Sequence, residues 1–206
     1  MKNKLLIIGA SGHGKVVADV AMKMNRWESI AFLDDNPNVK SSLGLKVIGK
    51  SKDVIKYKDD FDLFVGIGDN KIRKKMFRRL EAVGATIPVL VHPSAVIGED
   101  VKIDKGTVIM AGAIINPSTS IGKGCIINTG STIDHDNNIG DFVHISPGVN
   151  LAGTVTVGEC SWLGIGSSIS NNITIADNCV IGAGGVVIRS LEETGVYVGM
   201  PVRKKG

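Results

Sequence analysis

The chain has 206 residues, of which 43% are hydrophobic and 4% aromatic, and its formal net charge is +4. This mild charge argues against a nucleic-acid partner, and the basic run at 71–79 is typical of a solvated helix face. No apolar run is long enough to span a membrane. The first run resembles a signal peptide, but it is short and leads into a glycine-rich turn, so we interpret it as a strand. The three cysteines share no metal-ligand spacing, so we expect a metal-free, cytoplasmic protein.

Strand and helix signals alternate through the first 92 residues. Apolar runs bounded by glycine or acidic residues predict strands at 4–9, 29–35, 62–68 and 87–92. Helical patterns fall between them, at 16–25, 52–57 and 70–83. This alternation is typical of a parallel sheet covered by helices. We therefore predict a Rossmann-like α/β domain over residues 1–92.

The first candidate site lies where the first strand turns into a helix, at the segment GASGHG, residues 9–14. A glycine turn lets the backbone approach a phosphate, and Asp34 and Asp35, which end the second strand, suit a ribose or a base. The spacing G-x-x-G-x-G differs from the dinucleotide pattern G-x-G-x-x-G, and His13 stands inside it. Three interpretations stay open: a nucleotide or nucleotide-sugar site, a dinucleotide site, or a structural turn.

From Ile97 to Val187 an Ile, Leu or Val returns at every sixth position, sixteen times in succession. A helix face requires a spacing near 3.6 and a single strand a spacing near 2, whereas a period of six indicates a parallel β-helix. Residues two positions before each aliphatic are mostly small or β-branched, as a narrow interior requires. Glycine often follows the aliphatic, which we interpret as a corner that needs a permissive backbone. We predict this domain over residues 93–206, with the segment after Val187 as its cap.

The second candidate site follows from the geometry of the repeat. If three hexapeptides form one coil, residues 18 apart stack, so His135 lies directly below Gly153. Asn128 and His144 are 16 residues apart and should lie near each other, about half a coil round from His135. Two half-sites on different faces can meet only if prisms pack side by side. This geometry predicts a homotrimer with active sites between subunits.

Histidine next to a carboxylate, as at His135 and Asp136, is suited to general-base chemistry near neutral pH. A backbone N–H at Gly153 is the kind of donor that stabilises an oxyanion in acyl transfer. The alternative is that His135 is a solvated corner residue, because this position of a hexapeptide usually faces outward. The residues alone leave both interpretations open.

Five segments together resemble one known family. They are GASGHGKVV at 9–17, FLDD at 32–35, GIGDNKIR at 66–73, IINTGSTIDHD at 126–136 and VGMPVRK at 198–204. The chain resembles, nearly end to end, the bacterial sugar acyltransferases of the left-handed β-helix superfamily that carry a Rossmann-like N-terminal domain. It most resembles nucleotide-4-amino-sugar N-acetyltransferases of the UDP-bacillosamine pathway type. Sialic acid O-acetyltransferases and GDP-perosamine N-acetyltransferases are near relatives.

The resemblance implies a role for each matching residue. His135 matches the catalytic base and Asp136 the acid that raises its basicity, although the bacillosamine-type enzyme has glutamate there. Gly153 matches the residue whose amide meets the acetyl carbonyl. Acetyl-CoA is expected to contact His144, Gly153, Ile165 and Ala183. The contacts expected for the nucleotide-sugar substrate match Ser11, Gly12, His13, Asp34, Asp35, Gly68 and Asn128.

The resemblance and the two candidate sites predict one reaction. We expect an acetyl-CoA-dependent N-acetyltransferase that acts on the 4-amino group of a nucleotide-linked 4-amino-4,6-dideoxy sugar. The transfer would be direct, with His135 as general base and without a metal. The leading alternative is an O-acetyltransferase acting on sialic acid or a capsular sugar, because both reactions use a histidine in the same coil. Two alternatives come from other classes: a non-catalytic hexapeptide protein that is a scaffold or a nucleotide-binding module, and an NAD-dependent oxidoreductase.

Overall fold

The computed structural model describes residues 2–206, which divide into two compact units, one ending at Pro93 and one from Ser94 to Gly206. The first unit contains β1 (Lys4–Ile8), α1 (Gly12–Lys23), β2 (Ser29–Leu33), β3 (Ser41–Ser42), β4 (Leu45–Gly49), α2 (Val54–Tyr57), β5 (Asp62–Val65), α3 (Asn70–Ala82) and β6 (Leu90–Val91). A short 3-10 helix, Ser51–Asp53, precedes α2.

Strands β1 to β5 form one sheet in the order β3-β4-β2-β1-β5, in which only β3 is antiparallel to its neighbour. The residues from Leu5 to Ile8 on β1 are at most 2% exposed. A parallel strand covered on both faces requires an unbroken apolar sequence, which this segment supplies. The parallel sheet with intervening helices confirms the Rossmann-like prediction.

Several element boundaries differ from the prediction. Helix α1 begins at Gly12, four residues earlier than expected, because part of the glycine turn already has helical conformation. The predicted strand at 62–68 ends at Val65, and the one at 87–92 is reduced to β6. The sequence does not predict the β3–β4 hairpin, because its strands are short and half-exposed. That hairpin turns through Leu43 and Gly44, which both have positive φ.

The second unit is a left-handed parallel β-helix, in which two-residue strands β7 to β22 follow one another around three faces. Face 1 contains Val96–Ile97, Ile114–Ile115, Thr132–Ile133, Asn150–Leu151, Ser168–Ile169 and Val186–Val187. Face 2 contains Lys102–Ile103, Ser120–Ile121, Asn138–Ile139, Thr156–Val157 and Thr174–Ile175. Face 3 contains Val108–Ile109, Ile126–Ile127, His144–Ile145, Trp162–Leu163 and Val180–Ile181.

Each strand pairs with the strand 18 residues further along the chain, so three hexapeptides form one coil, as predicted. The aliphatic residues of the repeat fill the interior, and those from Ile109 to Val187 are at most 3% exposed. Ile97 and Ile103 are more exposed, because the first coil is stacked on one side only. The interior slot two residues before each aliphatic is buried from Thr107 onward.

The φ angles at the corners of the prism show that our interpretation of the glycines after the aliphatic residues was wrong. Glycines directly after the aliphatic have no left-handed φ. A Cβ there would instead strike the next coil, for example at 2.5 Å from the Asp177 nitrogen if placed on Gly158. The left-handed conformation recurs three residues after the aliphatic. Residues there are Asp100, Gly106, Gly112, Ser118, Gly124, Gly130, Asp136, Phe142, Gly148, Thr154, Cys160, Gly166, Asn172, Asn178 and Gly184.

The segment after Val187 covers the last coil. Strand β23 (Val196–Gly199) extends face 3 in parallel with Val180–Ile181, and β24 (Val202–Lys204) pairs antiparallel with β23. Leu191 forms a bridge with Ile175 and is 6% exposed, so its side chain closes the apolar interior. These contacts satisfy backbone groups that an open coil end would leave unpaired.

Candidate active site

His135 lies at the corner between faces 1 and 2. Asp136 has the left-handed conformation, with φ 58°, that turns the chain here, and aspartate tolerates it better than most residues. Asp134 Oδ1 accepts a hydrogen bond from the backbone N–H of His135 (2.9 Å) and another from Asn116 Nδ2 (2.8 Å) in the preceding coil. The turn is therefore held by the prism, while the His135 side chain is 56% exposed.

A carboxylate orients the imidazole of His135. Nδ1 lies 2.7 Å from Asp136 Oδ2, so in the neutral ring Nδ1 carries the proton and donates it, while Nε2 keeps its lone pair. This hydrogen bond and the charge of Asp134 raise the pKa of His135 above its ordinary value. Nε2 is therefore a stronger base than an ordinary imidazole nitrogen and faces away from its carboxylate partner.

The His135 ring lies against the backbone of Gly153 in the next coil. A Cβ on Gly153 would be 2.6 Å from His135 Cε1 and 2.7 Å from Nε2, so no larger residue fits while the ring stays in place. Gly153 is buried, and its carbonyl accepts the N–H of Asn172. Within residues 2–206 its own N–H has no hydrogen-bond acceptor. The structure thus brings His135 and Gly153 together, as their spacing predicts.

A second group of side chains lines an apolar groove on face 3, with a volume of about 430 Å³. It contains Asn128, His144, Ile165 and Ala183. Asn128 Oδ1 accepts the N–H of Thr129, which fixes the amide so that Nδ2 points at His144 Nε2, 3.2 Å away. Nε2 of His144 is therefore an acceptor. These four residues lie together, but on a different face from His135.

Trp162 forms a wall of this groove and was not among the site residues predicted from the sequence. It is the register partner of His144, and the two rings stack with centroids 5.6 Å apart and planes 5° apart. Its Nε1 donates to Ser146 Oγ at 2.7 Å. The side chain is nevertheless 48% exposed. The chain has only two tryptophans, and one of them stands in an outward-facing slot of the repeat. That rarity could have identified Trp162 from the sequence.

In the first unit, a cavity of about 420 Å³ opens beside the glycine turn, a size that suits a small-molecule ligand. Residues lining it include Gly9, Ser11, Asp34, Asp35 and Ser51. A Cβ on Gly14 would lie 1.9 Å from the Gly9 carbonyl oxygen, so glycine alone allows α1 to begin this close to the strand. Ser11 and Gly12 are exposed at the start of the helix.

The two acidic residues after β2 are bonded to their own chain. Asp34 accepts the backbone N–H of Ala10 at Oδ2 (2.7 Å) and that of Asn36 at Oδ1 (2.8 Å). Asp35 accepts the hydroxyl and the N–H of Ser51, which lower its pKa. These bonds hold the cavity wall in shape. Each oxygen still has a lone pair for a ligand donor.

His13 and Gly68 are neighbours in this unit, because a Cβ on Gly68 would lie 3.9 Å from His13 Cβ. Burial and the positive charge of Arg73 lower the pKa of His13 to about 4, so its ring is neutral near pH 7. The prediction that the basic run at 71–79 is a solvated helix face is wrong for Arg73, which is 1% exposed. Its guanidinium donates to the carbonyl oxygens of Ile67 (3.2 Å) and Gly68 (2.7 Å).

Residues 4–80 match the family described as the PglD N-terminal domain. UDP-N-acetylbacillosamine N-acetyltransferase of Bacillus subtilis is 38% identical over 116 residues, which are 54% of this chain and 52% of that protein. The acetyltransferase domain of PglB from Neisseria gonorrhoeae FA1090 is 36% identical, with a TM-score of 0.95 over 99% of this chain and 100% of that domain. The chain belongs to this acetyltransferase family.

Two structures of the family contain ligands. The PglB domain has been solved in complex with acetyl coenzyme A, at the same identity and TM-score. PerB from Caulobacter crescentus, solved with CoA and GDP-perosamine, is 36% identical with a TM-score of 0.93 over 98% of this chain and 97% of that one. These matches confirm the family resemblance and the fold class. The match to the curated B. subtilis relative spans about half of that protein.

Within residues 2–206, no helix is both long and apolar enough to cross a membrane. In the same part of the chain, no three His, Cys, Asp or Glu side chains are grouped so as to hold a metal ion.

Proposed function

We propose that this protein transfers the acetyl group of acetyl-CoA to the 4-amino group of a nucleotide-linked 4-amino-4,6-dideoxy sugar. The observation that carries the proposal is the stack of the His135 imidazole, oriented by Asp136, on the backbone of Gly153. Acyl transfer to an amine needs a base for the proton and a donor for the oxyanion, and these two groups supply them. The relatives named for UDP-N-acetylbacillosamine and GDP-perosamine support an amino-sugar acceptor.

In the proposed reaction the sugar amine attacks the thioester carbonyl carbon, and His135 Nε2 takes the proton that the nitrogen loses. The resulting oxyanion accepts a hydrogen bond from the Gly153 N–H. Collapse of the tetrahedral intermediate breaks the carbon–sulfur bond, and the departing thiolate receives the proton from His135. The products are an amide and CoA with a free thiol. Transfer is direct, so holding the two substrates in line supplies much of the rate.

The face 3 groove is assigned to the arm of acetyl-CoA, because its exposed walls at Trp162, Ile165 and Ala183 are apolar and suit an uncharged chain. The groove and the His135 corner lie on different faces of one prism. Both can contribute to one reaction only if two prisms stand side by side. We therefore propose a homotrimer in which His135 of one subunit serves the groove of its neighbour.

The nucleotide part of the acceptor is assigned to the cavity of the first unit. Ser11 and Gly12 stand at the start of α1, where backbone N–H groups attract phosphate oxygens. Asp34 and Asp35 offer carboxylate oxygens to a ribose or a base. The neutral ring of His13, next to Gly68, suits an uncharged partner.

A free-thiol release assay with acetyl-CoA and a panel of acceptors tests the proposed function. The panel holds UDP-, GDP- and dTDP-linked 4-amino sugars beside free and CMP-linked sialic acid. We expect turnover on a nucleotide-linked amino sugar and an amide in the mass spectrum of the product. Turnover on sialic acid alone would contradict N-acetylation and assign the protein to O-acetyl transfer. Acetyl-CoA binding without turnover on any acceptor would favour a non-catalytic role.

The pH dependence of kcat/KM should reflect the pKa of His135, which its hydrogen bond to Asp136 raises. Only the neutral imidazole accepts a proton, so kcat/KM should rise with pH through the raised pKa, above the ordinary value of about 6.5. Asp136→Asn removes the largest cause of the rise and should move the acid limb to lower pH, with a lower plateau. Titration of the substrate amine is common to both proteins and cancels in the comparison. An unchanged acid limb in Asp136→Asn would contradict the assigned pair.

Trp162 should contribute mainly to acetyl-CoA binding. Trp162→Ala removes the exposed apolar wall of the groove assigned to acetyl-CoA, together with the ring that stacks on His144. We expect KM for acetyl-CoA to rise about 10-fold, with little change in KM for the sugar. Trp162→Phe is the matched control and should restore most of the affinity. Equal changes in both KM values would argue against the assignment of this groove.

A further inference from the structure

Asn137 lies inside the prism, in a slot that other coils fill with apolar residues or small hydroxyls. It stands two residues before Ile139 and is 1% exposed. Thr119 occupies the same slot one coil below, and Val155 one coil above. A buried amide is costly unless its polar atoms find partners, and both Asn137 Nδ2 and Oδ1 are bonded.

Within its own coil, Asn137 holds the turn that carries the proposed base. Its Nδ2 lies 2.6 Å from the carbonyl oxygen of Asp134 and 3.2 Å from that of His135. The His135 carbonyl also accepts the N–H of Thr154 in the next coil at 3.0 Å. The backbone under the imidazole is therefore fixed from inside the prism.

In the next coil, the same amide holds both ends of the turn that carries Gly153. Nδ2 donates to the carbonyl of Ala152 at 3.1 Å, and Oδ1 accepts the N–H of Val155 at 3.1 Å. These two residues flank Gly153 and the residue after it. One buried side chain thus joins the two turns whose separation determines how the imidazole meets the Gly153 N–H.

Other coils use a simpler interior link. Thr107 Oγ1 donates to the carbonyl of Gly122 (2.8 Å) and accepts the N–H of Cys125 (3.0 Å), which joins two successive coils. Thr119 makes the equivalent pair of bonds. Asn137 makes both inter-coil bonds and also donates to two carbonyls of its own turn, which Thr107 and Thr119 do not. The two Nδ2 hydrogens serve three carbonyls, so one hydrogen is shared between two acceptors. Within residues 2–206, Ser131, in the same slot, bonds only the Asn128 carbonyl of its own turn, at 2.8 Å.

We propose that Asn137 is a positioning residue that sets the distance and orientation between the His135 imidazole and the Gly153 N–H. The inference rests on the proposed function for its effect on rate, and on the hydrogen bonds for its effect on geometry. Asn137 touches neither the ring nor a substrate, so it acts through the two turns. Acyl transfer is sensitive to this placement, since an error of about 1 Å can lower a rate by roughly 10²-fold.

Two substitutions separate positioning from packing. Asn137→Thr should keep the inter-coil link, as Thr107 shows, and lose the two bonds to the turn of His135. Asn137→Val fits the slot as Val155 does and loses all four bonds. Thr107→Val is the matched control, because it removes the same kind of interior link at a different corner of the prism, where Thr107 bonds Gly122 and Cys125. Turnover, both KM values and thermal unfolding would be measured for each variant.

We expect Asn137→Thr to lower kcat about 10-fold and Asn137→Val about 10²-fold, with both KM values changed less than about 2-fold. Thr107→Val, which loses an inter-coil link, should also lower the thermal unfolding temperature but leave kcat unchanged. Wild-type kcat in Asn137→Thr would overturn the proposal. Because this variant keeps the inter-coil bonds, it decides the question even if Asn137→Val does not fold.

A second readout is independent of turnover. NMR titration of the His135 ring reports how it lies against the charged groups that face it, Asp134 and Asp136. The pKa of His135 should fall in Asn137→Thr and stay unchanged in Thr107→Val. If the wild-type protein acetylated no acceptor, the proposed function would fail while this titration would still test the positioning. An unchanged titration in both Asn137 variants would overturn the inference by itself.

Discussion

Replacing His135 by alanine should lower kcat/KM about 10²- to 10⁴-fold, the usual contribution of a positioned general base. The amine would then lose its proton to water, and the proposed oxyanion donor, the Gly153 N–H, would remain. The fold should persist, because the His135 side chain is 56% exposed and its turn is held by backbone and Asn137 contacts. Thiol release and thermal unfolding would be measured on the same preparation.

The matched control for this prediction is Asn171→Ala. Asn171 is exposed and occupies the same corner position one coil beyond Gly153. It should keep wild-type turnover. A His135→Ala protein that unfolds normally and turns over at a wild-type rate would show that His135 is a solvated corner residue and not the base.

The second large effect is expected from Gly153→Ala. The added Cβ would lie 2.6 Å from the His135 ring, so the imidazole must move. The backbone there has no left-handed φ, and strain is therefore not the cause of any loss. Displacement of the proposed base and of the proposed oxyanion donor should lower kcat about 10²-fold or more. Steady-state kinetics at saturating acetyl-CoA would measure the loss.

A double-mutant cycle identifies the cause of that loss. In a His135→Ala background the added Cβ has no ring to displace, so Gly153→Ala should cost much less than in the wild-type protein. Equal losses in both backgrounds would mean that the methyl group acts on the substrate or on the backbone donor, and not through His135.

The period of six predicts the β-helix and the 18-residue register, because a prism of stacked coils allows few other arrangements of its interior. The stack of His135 on Gly153 follows from the same arithmetic. The period does not show which residue of a corner is left-handed. We expected that role for the glycines after each aliphatic, whereas Asp136 and its equivalents have it. Those glycines are required instead by the close approach of the next coil.

Side-chain contacts between coils are harder to predict than the coils. In the sequence Asn137 occupies a slot expected to hold a small interior residue. Its four hydrogen bonds depend on the directions of backbone carbonyl groups, which cannot be predicted from the residue pattern. The stack of Trp162 on His144 requires the register and both side-chain rotamers. In the first unit, the sequence predicts acidic residues at the end of β2. It does not predict that Asp34 and Asp35 also bind their own backbone.

The most direct test asks whether one active site is built from two chains. His135→Ala removes the base from one half-site, and Ala183→Trp fills the groove of the other with a side chain at an exposed position. Each variant alone should have at most about 1% of wild-type activity. In trimers formed from an equal mixture, a site is complete only when the subunit that supplies His135 is next to a subunit with an open groove. Half of the subunits carry each feature, so random mixing should restore about one quarter of wild-type activity.

Recovery to that level would support an acetyl-transfer site shared between neighbouring subunits. A mixture that remains inactive would contradict a shared site, provided that subunit exchange is verified with tagged chains and both variants unfold as the wild-type protein does. His135 and the face 3 groove would then not belong to one reaction.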